Sequence, residues 1–331
     1  MLTTSGTASG TPKTYPYSLQ EYLDLERYHF AKICCLNGLD PKLRVVWIKP
    51  KLFSNEEKSE ERGYVKTTEP SLNANVYVVP VALDADRAEW AATYRSVASL
   101  EPGLVYTTPS SFLASVFALQ SWLPKMSCPV MFTGETLFED VRAKAIGVYS
   151  RVIDKMRCWD TGLSFVECRF GTKHIDDELC LVEESAGRIT STDFFNFAAK
   201  LHTNITDDLG TIEMAHCRCG VYGRVFVDFI GKSMQCLWTK EGTVCDPHLV
   251  LAYITSFLKA KGEPYVRYLI RQKQDGAVLL FIDQDNDRSA LTVKNVLQGM
   301  LHQSVQIKPY DQAPNHGRKL LLVASEFSPV F

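Results

Sequence analysis

The chain has 331 residues, of which 46% are hydrophobic and 22% are charged, and its formal net charge is −2 at pH 7. This composition is typical of a folded protein with one large or two ordinary domains, and the small charge excludes a general attraction to nucleic acid or anionic membranes. No apolar run is long enough to cross a bilayer, and the start of the chain lacks the apolar core of a secretory signal. The ten cysteines are therefore predicted to be free, mostly buried thiols of a cytoplasmic protein.

The N-terminal part of the chain contains two predicted helices and one predicted buried strand. The run MLTTSGTASG opens the chain, and TPKTYPYSLQEYL at 11–23 leads into an amphipathic helix. The charged stretch at 51–70 is predicted to be a solvated loop. Residues 75–83 form a predicted buried strand, and residues 84–100 form the helix that leads back to the next strand.

Residues 103–149 contain two consecutive strand–turn–helix units. Their strands and helices are predicted, in chain order, at 104–107, 112–122, 129–133 and 137–156. Repetition of this unit indicates a parallel sheet covered by helices. Because ligands bind beyond the carboxyl ends of the strands in such sheets, a site is predicted at residues 107–111 and 133–136.

The pattern changes beyond these units, with a predicted strand at 163–170 and a predicted hairpin at 178–190. The polar stretch HTNITDDLG at 202–210 contains a glycine and is predicted to separate two domains, 1–205 and 211–331. The predicted fold class is α/β, with a doubly wound parallel sheet followed by a smaller α/β domain.

Three segments resemble motifs of the bacterial-type L-asparaginases. VYTTPSSFLASVFAL at 105–119, followed by PVMFTGET at 129–136, is similar to the second threonine motif of that family and its next strand. MLTTSGTASG is similar to the opening motif, and GRITSTDFFNF at 187–197 resembles the segment that supplies a lysine. The resemblance implies the asparaginase fold and a two-cluster site for amide hydrolysis.

The resemblance assigns the family's catalytic roles to five positions. Thr7 matches the nucleophile, and Tyr17 is the best match to the loop tyrosine, with Tyr15 as the second candidate. Ser110, Ser111 and Arg188 match the threonine, aspartate and lysine of the second cluster. Two of these positions lack the required chemistry. A serine hydroxyl supplies no negative charge in place of the aspartate, and an arginine does not give up a proton as a lysine can.

The substrate loop of the family falls on Leu83 and Asp84, where a leucine replaces the serine that holds the substrate carboxylate. Without the resemblance, Ser110 and Ser111 are ordinary N-cap residues, since they follow a strand and open a helix. Arg188 is then a surface or hairpin residue. We interpret the amidohydrolase site as vestigial.

One group of residues in the C-terminal part has chemistry suited to zinc. It consists of His216, Cys217 and Cys219, with Cys236, Cys245 and His248 further along the chain. The Cys-x-Cys spacing differs from the Cys-x-x-Cys spacing that structural zinc sites usually present. The prediction is free buried cysteines, with no metal and no cofactor.

The function predicted from the resemblance is that of a catalytically degenerate asparaginase-like protein with a structural, assembly or ligand-sensing role. Its expected partners are proteins or further copies of the chain, and an amino-acid-like small molecule is the expected ligand of a surviving pocket. An active, divergent amidohydrolase or amidotransferase subunit with Thr7 as nucleophile is the alternative. An unrelated Rossmann-like binding module is the third possibility, because parallel α/β folds serve many functions.

Overall fold

A twelve-stranded sheet and a separate four-stranded sheet form the main layers of the computed structural model of the chain. The structure describes residues 2–3, 14–15, 19–50, 65–69, 74–83, 85–119, 122–158, 161–185, 187–195, 203–261, 267–283, 287–313 and 323–326. Contacts divide the chain into two compact units, Met1–Leu137 with Ala145–Phe229, and Phe138–Lys144 with Ile230–Phe331. Three predicted site residues, Thr7, Tyr17 and Asp84, lie outside the described residues.

The first unit contains most of the strands. They are β1 (Leu2–Thr3), β2 (Thr14–Tyr15), β3 (Val45–Pro50), β4 (Val65–Glu69), β5 (Ala74–Val81), β6 (Leu104–Thr107), β7 (Val130–Phe132), β8 (Val152–Arg157), β9 (Ser164–Glu167), β10 (Lys173–Ile175), β11 (Cys180–Ser185), β12 (Arg188–Asp193), β13 (Thr203–His216) and β14 (Tyr222–Lys232). Its helices are α1 (Leu19–Asn37), α2 (Arg87–Ser99) and α3 (Pro109–Leu119), and α4 (Glu139–Ile146) follows them in the chain. The polar stretch predicted to separate two domains therefore lies mostly within strand β13.

The strand order of the large sheet is β11-β12-β13-β14-β10-β9-β8-β7-β6-β3-β5-β4. Strands β5, β3, β6, β7 and β8 pair in parallel, whereas β8 with β9, β9 with β10 and β10 with β14 pair antiparallel. The predicted α/β class is confirmed, but the doubly wound asparaginase form is wrong. From β8 to β10 the connections are short turns, and a parallel crossover needs about a dozen residues or more.

The second half of the helix predicted at 137–156 is also wrong, because residues 152–157 form strand β8. Every residue of this strand except Met156 is buried, as is usual for a strand of a parallel sheet that is covered on both faces. Its sequence, VIDKMR, contains three charged residues and therefore lacks the continuous apolar run that predicts such a strand. The helix itself, α4, ends at Ile146.

Helices cover both faces of the parallel strands. On one face, Phe30 and Ile33 of α1 pack in a cluster with strand residues such as Leu104 and Met131. On the other face, Phe112 of α3 contacts Phe132 with ring centroids 5.7 Å apart. Burial of these large apolar side chains, each worth about 1.5–3 kcal/mol, stabilises the layered arrangement.

Helix α1 runs in the direction opposite to strand β8. At its end, Asn37 accepts a hydrogen bond of 3.0 Å from Arg151, which directly precedes β8. Nearer its beginning, Glu26 lies 3.4 Å from Nζ of Lys155, further along the same strand. The beginning of α1 therefore lies toward the carboxyl ends of the parallel strands. We call the side of the sheet where the parallel strands end the carboxyl rim, and the opposite side, where they begin, the amino rim.

The second unit has its own small sheet. Its elements are β15 (Leu237–Trp238), β16 (Val244–Cys245), α5 (Pro247–Ala260), β17 (Tyr268–Gln272), β18 (Val278–Ile282), α6 (Asp287–Leu301), β19 (Val305–Pro309) and β20 (Val323–Ser325), with 3₁₀ turns at Ser233–Gln235 and Tyr310–Gln312. The order of the four-stranded sheet is β19-β18-β17-β20, with an antiparallel pair at its centre and parallel pairs outside it. The prediction of a smaller C-terminal α/β part is confirmed.

None of the described helices is long and apolar enough to cross a membrane. The predicted cytoplasmic location, and the predicted protein partners or homo-oligomer, stay predictions.

Candidate functional site

Two loops at the carboxyl rim are joined by a carboxylate. Glu135, in the loop after β7, accepts a hydrogen bond of 2.9 Å from the backbone N–H of Ser110 and one of 2.5 Å from its hydroxyl. Ser110 is fully buried at the beginning of α3, where backbone N–H groups lack helical partners and favour a negative charge. The predicted site segments 107–111 and 133–136 therefore lie together, although their contact is made by Glu135, which the sequence analysis did not select.

Ser111 contributes to the start of helix α3 in a different way. Its backbone N–H donates a hydrogen bond of 3.2 Å to the hydroxyl of Thr108, and the two hydroxyl oxygens are 3.0 Å apart. Thr108 thus takes the capping position that the sequence analysis gave to the serines. The hydroxyl of Ser110 therefore binds the loop after β7, and that of Ser111 binds Thr108 at the beginning of α3.

Strand β8 ends at a second fixed polar group on the same rim. Arg157 donates two hydrogen bonds, of 3.1 and 3.0 Å, to the carboxylate oxygens of Asp193 and one of 2.7 Å to the carbonyl of Gly162. Gly162 has φ +77°, and a Cβ there would lie 2.7 Å from Cγ of Asp193. This turn requires glycine for both its backbone conformation and its packing.

Strands β1 and β2 pair antiparallel, with Leu2 opposite Tyr15. From Tyr15 the chain reaches Leu19, the first residue of α1, in four residue steps, or about 14 Å at most. Because the beginning of α1 lies toward the carboxyl rim, this connectivity brings the hairpin near the same rim. Thr7, the predicted nucleophile, lies within residues 4–13 and outside the described residues.

The structure does not bring the remaining predicted site residues together. Arg188 is an exposed residue of β12, and seven strand spacings separate β12 from β6. At about 4.8 Å per spacing, this is roughly 30 Å along the sheet. Leu83 follows β5 at the carboxyl rim, two strand positions from β6. The second catalytic cluster implied by the asparaginase resemblance therefore does not form.

A buried Ser–His–Asp contact in the first unit does not have the geometry of a catalytic triad. Nε2 of His29 is 2.9 Å from the Ser164 hydroxyl and 3.3 Å from Oδ2 of Asp176, so one ring nitrogen faces both partners. In a catalytic triad one ring nitrogen of the histidine takes the proton of the nucleophile, and the carboxylate orients the ring by accepting a hydrogen bond from the other nitrogen. All three side chains are fully buried, and Lys32 binds the other oxygen of Asp176 at 2.6 Å. Burial raises the pKa of Asp176, but hydrogen bonds and charges of His29 and Lys32 hold it well below its usual range.

One group of residues has the chemistry and the spacing to hold a metal ion among the described parts of the chain. Cys168, His174, Cys217 and Cys219 present ligand atoms that all lie within 4.8 Å of one another. The sequence analysis grouped Cys217 and Cys219 instead with Cys236, Cys245 and His248, which belong to the second compact unit. No short sequence window contains all four ligands.

Comparison with family models finds no match, and comparison with curated proteins finds none either. Among solved structures, 2-hydroxyisobutyryl-CoA ligase in its postadenylation state with R3-HIB-AMP matches with a TM-score of 0.69 at 12% identity, over 96% of this chain and 72% of the ligase chain. The anthranilate CoA ligase AuaEII with anthranoyl-AMP matches with a TM-score of 0.58 at 14% identity, over 96% and 64%.

An ATP-bound chimera, RpMatB-BxBclM B1, matches with a TM-score of 0.56 at 14% identity, over 96% of this chain and 65% of the chimera. These matches show a fold shared with AMP-forming acyl-CoA ligases. The asparaginase resemblance is therefore wrong, and with it the interpretation of the chain as an asparaginase-like pseudoenzyme or amidohydrolase. The short motifs that suggested it contain strand–turn–helix units and Ser, Thr and Gly turns, which many α/β folds share.

Proposed function

We propose that the chain forms acyl adenylates from a carboxylic acid and ATP. In this reaction a carboxylate oxygen attacks the α-phosphorus, the bond from that phosphorus to the bridging oxygen breaks, and pyrophosphate leaves. The observation that carries the proposal is the match over 96% of the chain to folds solved with acyl adenylates or with ATP. The chemistry of the carboxyl rim agrees with it.

The run from residue 4 to 13, TSGTASGTPK, has the composition of a phosphate-binding loop. It contains five hydroxyl residues, two glycines and one lysine within ten residues. Glycines allow the backbone N–H groups to approach phosphate oxygens closely, and a lysine ammonium neutralises their charge. The same run, interpreted above as a nucleophile loop around Thr7, is better suited to the triphosphate of ATP, with Lys13 as its cation.

The loops of the carboxyl rim offer a place for the rest of the nucleotide. In sheets of this kind ligands lie beyond the carboxyl ends of parallel strands. Here Thr108 follows β6, Thr133 follows β7, and the turn at Gly162 lies beyond β8. Gly134 has φ +78°, is exposed and has no atom within 4 Å of a Cβ position, so this turn leaves space beside the rim. Glu135 and Arg157 fix the two flanking loops by the hydrogen bonds described above, which prepares the rim before a ligand arrives.

The first arm of the test is nucleotide binding, since it does not depend on knowing the acid. We expect MgATP to raise the unfolding temperature of the wild-type chain and to bind with an affinity measurable by calorimetry. The Lys13→Ala variant should lose this effect. Lys42→Ala is the matched control, because Lys42 is exposed in the turn after α1, at the amino rim.

The second arm is turnover. A panel of aliphatic, hydroxylated and aromatic carboxylic acids is incubated with MgATP and hydroxylamine, which traps an acyl adenylate as a hydroxamate with release of AMP. With an accepted acid, Lys13→Ala should lower the rate on the order of 10²-fold, as for loss of one preorganised charge at a reaction centre. Absence of MgATP binding by the wild-type chain, or an equal loss in Lys42→Ala, would overturn the proposal.

A further inference from the structure

We propose that Cys168, His174, Cys217 and Cys219 bind one zinc ion in a closed, structural site. This inference is independent of the adenylate-forming activity, because it rests on side chains at the amino rim. The backbone N–H of Arg169, next to Cys168, donates a hydrogen bond of 3.2 Å to the carbonyl of Leu36 near the end of α1. That end of α1 lies at the amino rim.

The distances between the four ligand atoms agree with tetrahedral zinc. With Zn–S bonds of about 2.3 Å and a Zn–N bond of about 2.0–2.1 Å, tetrahedral ligands lie about 3.5–3.8 Å apart. The sulfurs of Cys168 and Cys217 are 3.7 Å apart, and Sγ of Cys219 is 3.3 Å from Nε2 of His174. The largest separation within the group is below 4.8 Å. Two of the separations are therefore close to those of tetrahedral ligands, and the others lie within reach of one ion after a small adjustment.

Cys168 and Cys217 each begin a turn, and the two turns have the same hydrogen bonds. In each, a glycine of positive φ donates its N–H to the carbonyl of the cysteine three residues earlier, at 2.9 Å: Gly171 to Cys168, and Gly220 to Cys217. In each, a backbone N–H also approaches the first sulfur, from Phe170 at 3.4 Å and from Cys219 at 3.5 Å. Such N–H groups stabilise negative charge on a sulfur, which a zinc-bound thiolate carries.

The burial of the group fits a permanent ion. Cys168 and His174 are each 2% exposed, and Cys217 and Cys219 are partly buried against the apolar cluster beneath α1. Nε2 of His174 faces Sγ of Cys219, so the imidazole offers this nitrogen to an ion held by the group. All four coordination positions come from the protein, which is the arrangement of structural rather than catalytic zinc sites.

Three cysteine sulfurs and one imidazole favour zinc over an iron–sulfur cluster or a disulfide. Three sulfurs and one imidazole in tetrahedral arrangement are typical of zinc, whereas most iron–sulfur clusters take four cysteines. A disulfide between Cys168 and Cys217 would require their sulfurs to approach to about 2.05 Å, and they are 3.7 Å apart. The ion would tie the β9–β10 turn to the tip of the β13–β14 hairpin and release three thiol protons on binding.

The test starts from the metal content of the untagged full chain, grown with zinc and dialysed without chelator. We expect about one zinc per chain by elemental analysis, and X-ray absorption showing about three sulfurs near 2.3 Å and one nitrogen near 2.0–2.1 Å. Cys219→Ser and Cys168→Ser should lower the bound zinc at least fivefold. Cys35→Ser, a cysteine exposed on α1, is the matched control and should keep it.

If the ligand variants do not fold, the X-ray absorption spectrum of the wild-type chain still tests the proposal, since it identifies the atoms bound to zinc directly. Zinc below about one-tenth of an equivalent in the wild-type chain would overturn the proposal, because closed sites of this kind retain their ion through dialysis. Zinc coordinated only by oxygen and nitrogen atoms would also overturn the proposal. An equal loss of zinc from Cys35→Ser would do so as well. A Cys168–Cys217 disulfide found by mass spectrometry of the freshly purified chain would do the same.

Discussion

The two rims of the parallel strands differ in the chemistry of their loops. The carboxyl rim carries hydroxyls, glycines and a carboxylate. The hydroxyl of Thr108 bonds to that of Ser111, and Glu135 accepts a hydrogen bond from the backbone N–H of Ser110. The amino rim carries the sulfur and imidazole groups of Cys168 and His174. Hydroxyl and glycine loops suit a ligand that enters and leaves, whereas thiolates suit an ion that stays. If both proposals hold, a ligand binds at one rim of the sheet and a stabilising ion at the other.

Loss of zinc is the largest effect that we expect from either rim. A ligand that binds only the folded state adds about 4 kcal/mol to its stability when its free concentration is a thousand times its dissociation constant. Zinc removal by a chelator should therefore lower the urea midpoint strongly, while MgATP affinity of the protein that stays folded changes little. An unchanged urea midpoint after zinc removal would contradict a structural role for the amino rim.

Gly162→Ala tests how tightly the carboxyl rim is fixed. Its φ of +77° is unfavourable for alanine, and the new methyl group would overlap the side chain of Asp193, which binds Arg157. Strain and overpacking together should cost about 3 kcal/mol in the free energy of unfolding. Gly187→Ala is the control, because its φ is also +77° but no atom lies within 4 Å of the added Cβ. It should cost only about 1 kcal/mol, and an equal cost for both variants would show that the turn can move.

Acid should weaken the buried contacts between α1 and the sheet. Burial lowers the pKa of His29, although Asp176 and Glu26 face it and oppose the shift. The unfolded chain, in which His29 titrates near pH 6.5, therefore binds more protons below that pH. Stability that is fully present above pH 6.5 is lost as the pH falls, at up to about 1.4 kcal/mol per pH unit.

Urea unfolding at pH 7.5, 6.5 and 5.5 measures this slope. His29→Gln keeps a hydrogen-bonding group beside Ser164 and removes the titration, so its stability should depend less on pH over the same range. An identical slope in the variant would assign the pH dependence to other groups.

Sequence periodicity predicted the part of the fold around the carboxyl rim. The strand at 104–107 and the strand and loop at 129–136 were found at β6 and β7, because short apolar runs bounded by glycine and hydroxyl residues are local signals. Helix α3 begins at Pro109, three residues before the predicted start, since Thr108 rather than a serine caps it. Strand β8 was missed because Asp154, Lys155 and Arg157 interrupt the continuous apolar run that is typical of a strand buried on both faces.

The candidate sites were harder to predict because both depend on distant parts of the chain. Cys168 and Cys217 are brought together only where the β13–β14 hairpin lies beside β10, an arrangement that no window of the sequence contains. For residues 4–13, the sequence contained the relevant residue types, but a run of threonines and glycines suits a nucleophile loop as well as a phosphate loop. The fold excludes the asparaginase interpretation, and the phosphate-loop interpretation is left to the Lys13→Ala test.

The smallest expected effect concerns the carboxylate that joins the rim loops. Glu135→Gln keeps an acceptor for the N–H of Ser110 but removes the charge, so we expect a loss of about 1 kcal/mol in the free energy of unfolding. Glu139→Gln, an exposed change in the first turn of α4, is the control and should change the stability by less than about 0.5 kcal/mol. If Glu135→Gln instead weakens MgATP binding more than tenfold at unchanged stability, the carboxylate contacts the ligand, and the rim is less rigid before binding than its hydrogen bonds indicate.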